Sequence, residues 1–513
     1  MLPTSQLVLH HIAFAYDGSG GDVFREVSVH FPAGWSGIVG ENGAGKTTLL
    51  QLAAGLLLPS AGYVQRPGAA VYCAQRTDEA PHGLPAFGAD RSAAAAVLRR
   101  RLRVDESWSC RWDSLSHGER KRDQLAVALW LDPAVLALDE PTNHLDEDAS
   151  ALVAEALGSY NGVGLLVSHD RALLDALCRQ CLFVHPGTAV LRPGSYSLAV
   201  EQQHREQESA RRERDHASAE LRRLARRQQQ RRVKAEQSRS RRSGRHAGRK
   251  DSDARAKRQL AIVSGKDGQA GRLLAQMERR VERARRHAES IDVEKIERAG
   301  IWIPGAGSRR RFVARLDGGD LPLGERRRLR YPTLTIGPSD RVALTGANGS
   351  GKSTLVREFV RQTDLETARL VYLPQEVPIS AARSLLEDIG ALDDAELGRL
   401  LTVYSGLGSR PGRLLESRLP SPGETRKLLL ALGVAREPHL IVMDEPTNHL
   451  DLPAIEALEN ALEDCPCALL LVSHDRRFLE RLATSEWHLA HAGDTEVRLE
   501  KRNRLSGGPA PVA

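Results

Sequence analysis

No run in this 513-residue chain approaches the roughly 18 to 20 consecutive apolar residues that cross a bilayer. The N-terminus also lacks a basic stretch followed by an apolar one, so neither insertion nor export is expected and the chain reads as cytoplasmic. Aromatic residues are sparse at 4%, yet a hydrophobic content of 41% suffices for two packed cores and excludes a chain disordered throughout. Cysteine is scarce too: Cys73, Cys110, Cys178, Cys181, Cys465 and Cys467 are scattered, which favours reduced thiols over a disulfide framework. Cys178-x-x-Cys181 has metal-ligand spacing but no second ligand pair nearby, so it reads as a pair of packing cysteines. From Leu198 onward proline does not recur until Pro304.

What the chain does have is one motif set, twice. The first copy runs Gly40-Glu41-Asn42-Gly43-Ala44-Gly45-Lys46-Thr47, Gln75, Ser116-His117-Gly118-Glu119, Asp139-Glu140 and His169. The second runs Gly346-Ala347-Asn348-Gly349-Ser350-Gly351-Lys352-Ser353, Gln375, Ser421-Pro422-Gly423-Glu424, Asp444-Glu445 and His474. The lysines are 306 positions apart, and the signature serines, the glutamates and the histidines 305. A lone phosphate-loop pattern arises by chance; a whole set in register does not. Two nucleotide-handling modules follow, as the length also requires.

Each module alternates short apolar runs with helical stretches, the pattern of an α/β fold with a largely parallel sheet. Val135–Leu138 before Asp139 and Leu440–Met443 before Asp444 read as buried parallel strands, with Gly164–Val167 and Leu469–Val472 as their neighbours. The expected boundaries are 1–197 for the first module, 198–300 for a linker, 301–502 for the second module and 503–513 for a frayed tail.

The net charge of +7 conceals an asymmetry. Residues 221–250 carry thirteen Lys/Arg against Glu236 alone, a local +12 that leaves the remainder at −5. Concentrated basicity points to a polyanionic partner at one place. The linker composition permits helix over a length unusual for a loop. Leu274, Met277, Val281, Ala284, Ala288 and Ile291 form a heptad stripe, with a weaker one through Ala210, Ala217, Leu221 and Leu224. With the glycine-punctuated stretch Ser243–Gly271 between them, an antiparallel helical hairpin is expected, its first helix of about 40 residues reaching about 60 Å.

The chemistry of the repeated residues is that of a phosphate-transfer site. Glycines at 40, 43, 45 and at 346, 349, 351 let backbone N–H groups turn onto phosphates, and the following helix adds its positive end. Asn42, Lys46, Thr47 and Thr48, with Asn348, Lys352, Ser353 and Thr354, complete the candidate ATP-binding loops. Lys46 and Lys352 supply point charges, and Thr47 and Ser353 offer hydroxyls to Mg²⁺. Asp139 and Asp444 end apolar strands, where a metal-bound water would balance a carboxylate. Glu140 and Glu445 are candidate general bases. Gln75 and Gln375 can reach metal and attacking water, and His169 and His474 the γ-phosphate.

The Ser-x-Gly-Glu elements resemble the signature of ATP-binding cassette proteins. Asp-Glu-Pro-Thr-Asn-His-Leu-Asp, unaltered at 139–146 and 444–451, and Ser-His-Asp-Arg at 168–171 and 473–476 resemble the F subfamily of that group (ABC-F). The resemblance implies two P-loop cassettes joined by a long helical hairpin and closing face to face. Site one would pair Lys46, Thr47, Gln75, Asp139, Glu140 and His169 with Ser421 and Gly423. Site two would pair Lys352, Ser353, Gln375, Asp444, Glu445 and His474 with Ser116 and Gly118. Tyr16 resembles the aromatic that stacks on adenine, and no clear aromatic counterpart precedes Leu334.

Pro420 stands where the signature normally has leucine, and Pro422 removes a backbone donor, so the two sites are expected to be unequal. By resemblance the partner is the ribosome, with its rRNA and tRNA. Arg222, Arg223, Arg226, Arg227, Arg231, Arg232 and Lys234 would meet phosphates, continued by Arg239, Arg241, Arg242, Arg245, Arg249 and Lys250. General translation factors of the subfamily commonly carry an extra arm between glutamine and signature. Here Gln75 to Ser116 spans 41 residues against 46 in the second module, so no arm fits. The chain most resembles the antibiotic-resistance members that protect the ribosome. A translation or assembly factor without drug relief, and a fused transporter ATPase, are the alternatives.

Overall fold

The computed structural model describes residues 6–18, 21–143, 145–242, 266–290, 308, 310–324, 327–366, 369–375, 377, 379–407, 409, 420, 422–448, 450–493 and 495–502. Ser421, Ile291, the expected linker tip and the tail lie outside them. The chain divides into two compact units, Met1–Ala199 with Glu297–Ala513, and Val200–Ile296. Both cassettes belong to the first.

The first cassette runs β1 (Gln6–Phe14), β2 (Phe24–Pro32), β3 (Gly34–Gly40), α1 (Lys46–Ala54), β4 (Ala61–Gln65), β5 (Ala70–Cys73), α2 (Leu84–Ala89), α3 (Ala93–Leu102), α4 (His117–Trp130), β6 (Val135–Asp139), α5 (Glu147–Gly158), β7 (Val163–Val167), α6 (Arg171–Leu177), β8 (Cys178–His185) and β9 (Thr188–Pro193). Its main sheet has the order β5-β6-β7-β3-β8-β9, parallel except for β9, beside an antiparallel sheet β2-β1-β4. Strands β6 and β7 are buried at every residue because each has a parallel neighbour on both edges, which is why they read as unbroken apolar runs. Gly40, Cys73, Asp139 and Val167 end β3, β5, β6 and β7 on one side of the sheet, so the segments that follow them converge. Parallel sheets bind ligands at that edge.

The long helices α7 (Tyr196–Arg242) and α8 (Lys266–Ser290) follow. The second cassette runs β10 (Ala314–Leu316), β11 (Gly319–Leu323), β12 (Arg327–Tyr331), β13 (Leu334–Ile336), β14 (Arg341–Gly346), α9 (Lys352–Gln362), β15 (Leu370–Leu373), α10 (Ile379–Gly390), α11 (Asp394–Gly406), α12 (Pro422–Ala435), β16 (Leu440–Asp444), α13 (Leu452–Glu463), β17 (Ala468–Val472), α14 (Arg476–Leu482), β18 (Ser485–His491) and β19 (Glu496–Arg502). Its sheet, β11-β12-β19-β18-β14-β17-β16-β15, keeps the parallel centre β18-β14-β17-β16-β15. The hairpin β11-β12 joins this sheet, whereas β1 and β2 of the first cassette stay in a separate one. Each cassette has its own aliphatic core, one around Ile38, Leu49, Ala137 and Leu165, the other around Leu344, Leu355, Val442 and Leu470.

Helix α7, most of it in the second unit, spans 47 residues, or about 70 Å at 1.5 Å per residue. Ala217, Leu224 and Met277 of the expected stripes are buried, and Ala210, Leu221, Val281, Ala284 and Ala288 are half-buried. Arg232 of α7 pairs with Glu278 of α8 at 2.8 Å. One correction concerns the connection: α8 begins at Lys266, inside the stretch expected to separate the helices, and carries Gly268 and Gly271 within it. A second concerns the thiols. Cys465 and Cys467 are joined as a disulfide across Pro466, against the expectation of reduced cysteines, because so short a separation carries no framework signal. Cys73, Cys110, Cys178 and Cys181 are free. Cys178 and Cys181 pack against β3, where a side chain at Gly37 would meet both sulfurs. Among the described residues no helix is long and apolar enough to cross a membrane.

Candidate functional site

Both phosphate loops open on one cavity of about 2430 Å³ in the cassette unit. Gly45 and Gly351 cap α1 and α9 in the left-handed region, at φ of 100° and 95°. A Cβ there would stand 2.6 Å from a side-chain carbon of Val23 or of Leu323, so the position needs glycine for space as well as conformation. Neither helix has a side-chain cap, which leaves its first N–H groups to an anion.

Lys46 donates to the carbonyls of Gly40 (2.8 Å) and Glu41 (3.0 Å), and Lys352 to those of Gly346 (2.7 Å) and Ala347 (3.2 Å). Burial lowers the pKa of both ammonium groups against the pull of nearby carboxylates. Thr47 Oγ1 donates to Asp139 Oδ2 at 2.7 Å, and the Tyr72 hydroxyl donates to the same oxygen at 3.2 Å. Burial raises the Asp444 carboxyl, with a hydrogen bond from Ser353 opposing it. Asp444 Oδ1 is buried with no hydrogen-bond partner among the described residues. A hydroxyl, a strand-end carboxylate with spare acceptor capacity and a buried ammonium form the donor set of a nucleotide with a hard cation, so these residues fit ATP and Mg²⁺.

Glu140 and Glu445 hold φ of 48° and 51°, left-handed values that are costly for a glutamate and recur at matched positions. Both lie beyond the end of a buried strand, and burial pushes both carboxyls up to about 8. The His169 N–H donates to Glu140 Oε2 at 3.1 Å, and the His474 N–H to Glu445 Oε2 at 3.3 Å. The histidine rings stand at their glutamates, Nε2 to Oε1 being 3.2 Å in the first cassette and 3.4 Å in the second. His474 Nε2 is also 3.1 Å from Asn348 Oδ1, and burial lowers its imidazole to about 4.

The remaining expected residues fall around the same space. Gln75, Gln375, Asn42, Gly43, Thr48, Gly349, Thr354, Ser116, Gly118 and Gly423 line the cavity. Tyr16 is 45% exposed and its hydroxyl lies 2.9 Å from Thr48 Oγ1. Ser116 caps α4 in a reciprocal box with Glu119. The second signature opens α12 with Pro422, the first helical residue, where a proline is tolerated although one N–H is lost. Beside Gly351 of the second cassette the cavity is lined by Leu323, Gly324 and Arg327.

Several residues of the site were not singled out by the motifs. Asp451 Oδ2 accepts the Asn42 N–H at 2.8 Å, and Asp146 Oδ2 accepts the Asn348 N–H at 3.3 Å. Each octapeptide therefore ends in an aspartate that touches the opposite cassette's phosphate loop; its duplication was the available signal. Lys121 donates to Ala74 O at 2.7 Å, with its ammonium pushed down to about 8 by burial. Its counterpart Arg426 donates to the carbonyls of Asp444 and Glu445, both at 2.9 Å. Both follow their signature glutamate by two residues.

Two phosphate loops, two strand-end acid pairs and two signature helices around one cavity define a P-loop ATPase of the ATP-binding cassette type. The family model described as ABC transporter matches 24–143 and 329–448. The chain is 29% identical to the ribosome protection protein VmlR of Bacillus subtilis, over 93% of this chain and 86% of that one. It is 30% identical to the tylosin resistance ATP-binding protein TlrC of Streptomyces fradiae, over 95% and 98%. It is 28% identical to the energy-dependent translational throttle protein EttA of Mycobacterium tuberculosis, over 92% and 89%. In fold it is similar to the solved RNase-L Inhibitor, with a TM-score of 0.63 at 18% identity, over 96% of this chain and 90% of that one. The chain belongs to the F subfamily of ATP-binding cassette proteins and is an ATP hydrolase.

Proposed function

We propose that this ATPase binds the ribosome through the basic face of α7 and, driven by ATP binding and hydrolysis, relieves antibiotic inhibition there. The observation that carries the ribosomal part is a recess lined by Arg222, Arg223, Arg226 and Arg227. None of these four has an acidic partner among the described residues, so the guanidinium groups are available to phosphates. The drug-linked part rests on the short 41-residue interval from Gln75 to Ser116, which leaves no room for the arm of the translation-factor members. The drug-linked names of VmlR and TlrC favour the same reading.

In this reading Lys46 and Lys352 hold the β- and γ-phosphates, and Thr47 with Asp139, and Ser353 with Asp444, hold the cation. Bound Mg²⁺ supplies charge neutralisation at those phosphates. In their carboxylate form Glu140 and Glu445 take the proton of the attacking water, with Gln75 and Gln375 orienting it. His169 and His474 present a ring nitrogen to the γ-phosphate. Ser421 with Gly423, and Ser116 with Gly118, complete the opposite cassette's site. Tyr16 stacks on the base of site one.

The test is synthesis by purified ribosomes stalled with peptidyl-transferase or exit-tunnel drugs. Addition of protein and ATP restores synthesis. Ribosome binding without recovery would favour a translation or assembly factor, and neither binding nor recovery would remove the ribosomal reading.

A further inference from the structure

Helix α13 touches the first cassette at three points. Its N-cap Asp451 accepts the Asn42 N–H at 2.8 Å, and Glu456 Oε1 accepts the Tyr196 hydroxyl at 3.0 Å. Glu459 takes both terminal nitrogens of Arg171, with Nη1 to Oε2 at 3.0 Å. Arg171 is 8% exposed and Glu459 2%, so the pair is out of solvent. Arg171 Nη2 also donates to Asp475 Oδ2 at 3.1 Å, and Arg481 Nη1 to Glu459 Oε2 at 3.0 Å. Arg481 also pairs with Glu463, so two guanidinium groups face three carboxylates. Beside them Arg477 pairs with Asp175 and donates to Ser197 Oγ at 3.0 Å.

The opposite edge lacks this arrangement. Helix α5 is the counterpart of α13 at the 305-residue offset, and there Glu456 is replaced by Ala151 and Glu459 by Ala154. Its N-cap Asp146 reaches Asn348 only at 3.3 Å. Arg476, the counterpart of Arg171, pairs with Glu147, but the two side chains are 47% and 67% exposed. An exposed pair contributes little, whereas removing one member of a buried, hydrogen-bonded set is costly.

Every group of the α13 contact belongs to the protein. Asn42 lies in the phosphate loop of site one, and Arg171 follows His169 by two residues. We propose that α13 is a standing clasp, with Arg171 as its positioning residue, that keeps site one assembled through the cycle while site two opens and closes. The clasp does not depend on the ribosomal reading, and its test contains no ribosomes.

The experiment measures release of a fluorescent ATP analogue with Mg²⁺ from the full chain. Lys352→Ala leaves site one loaded and Lys46→Ala leaves site two. Release from site one is expected to be slower by about tenfold or more, within the usual range of coupling between sites. Adding Arg171→Ala brings it to the rate of site two, and Arg476→Ala changes neither. Should Arg171→Ala fail to fold, Tyr196→Phe deletes one hydrogen bond of the same clasp, and faster release from site one then supports the proposal. Equal release from the two parent sites, or unchanged site-one release in a folded clasp variant, overturns it.

Discussion

The two cassettes place the same groups at nearly the same distances yet close on each other differently. Lysine to loop carbonyl (2.8 and 2.7 Å) and glutamate to histidine (3.1 and 3.3 Å) recur closely, while aspartate to opposite phosphate loop is shorter in the first (2.8 against 3.3 Å). What surrounds them does not recur. The first cassette lines the cavity with Tyr16 and holds α13 through buried charge; the second lines it with Arg327 and has an exposed ion pair. The lesson is that the reacting residues and the residues governing opening follow separate constraints, and only the first set is duplicated.

The strongest way to break the comparison is to remove the bases. Glu140→Gln with Glu445→Gln is expected to reduce phosphate release by about 10² to 10⁴-fold while nucleotide still binds. The single variants show how turnover divides between the sites, and equal losses would weaken the case for inequality. Next in size is stability: Arg171→Ala is expected to cost about 3–5 kcal/mol in denaturant unfolding, by leaving buried Glu459 and half-buried Asp475 with one cation fewer. Arg476→Ala is expected to cost about 0–1 kcal/mol, as befits a surface pair. Comparable costs would contradict the asymmetry of the interface.

Tyr16→Ala sharpens the comparison at the base. Loss of a stacking ring is worth about 1–3 kcal/mol, to be seen as weaker nucleotide binding when only site one is intact and as no change when only site two is. A separate effect is on pH. The Glu140 and Glu445 carboxyls stand at about 8 against an ordinary 4.5, so the native protein keeps protons that the unfolded chain has lost. Stability without nucleotide therefore falls as pH rises from about 4.5 to about 8. The double glutamine variant is expected to melt a few degrees above the parent near pH 9 and with it near pH 5. His474, lowered to about 4, acts at the other end, its stability lost as pH falls below 6.5. A gap between variant and parent that ignores pH would contradict the buried, protonated acids.

Much of this was legible in the chain because it is repeated. Strands β6 and β16 read as apolar runs ending in aspartate, and each is buried throughout. The same reliance on repetition hid the clasp. Glu456 and Glu459 stand opposite Ala151 and Ala154, so no duplicated pattern marks them, and their partners Tyr196 and Arg171 lie far away in the chain. The hairpin β11-β12 escaped for a related reason, since it joins a sheet that its first-cassette counterpart does not. Heptads located the linker helices but not the start of α8, where glycines that normally weaken helix are carried within it.

Under the proposed function, closing two ATP sites engages a basic helix with ribosomal RNA. This engagement is tested most directly by sedimenting the Glu140→Gln/Glu445→Gln variant with ribosomes and ATP. The account predicts co-migration that weakens with salt and is lost when the Lys and Arg of 221–250 are neutralised. Free sedimentation at low salt, with ATP bound, would contradict it.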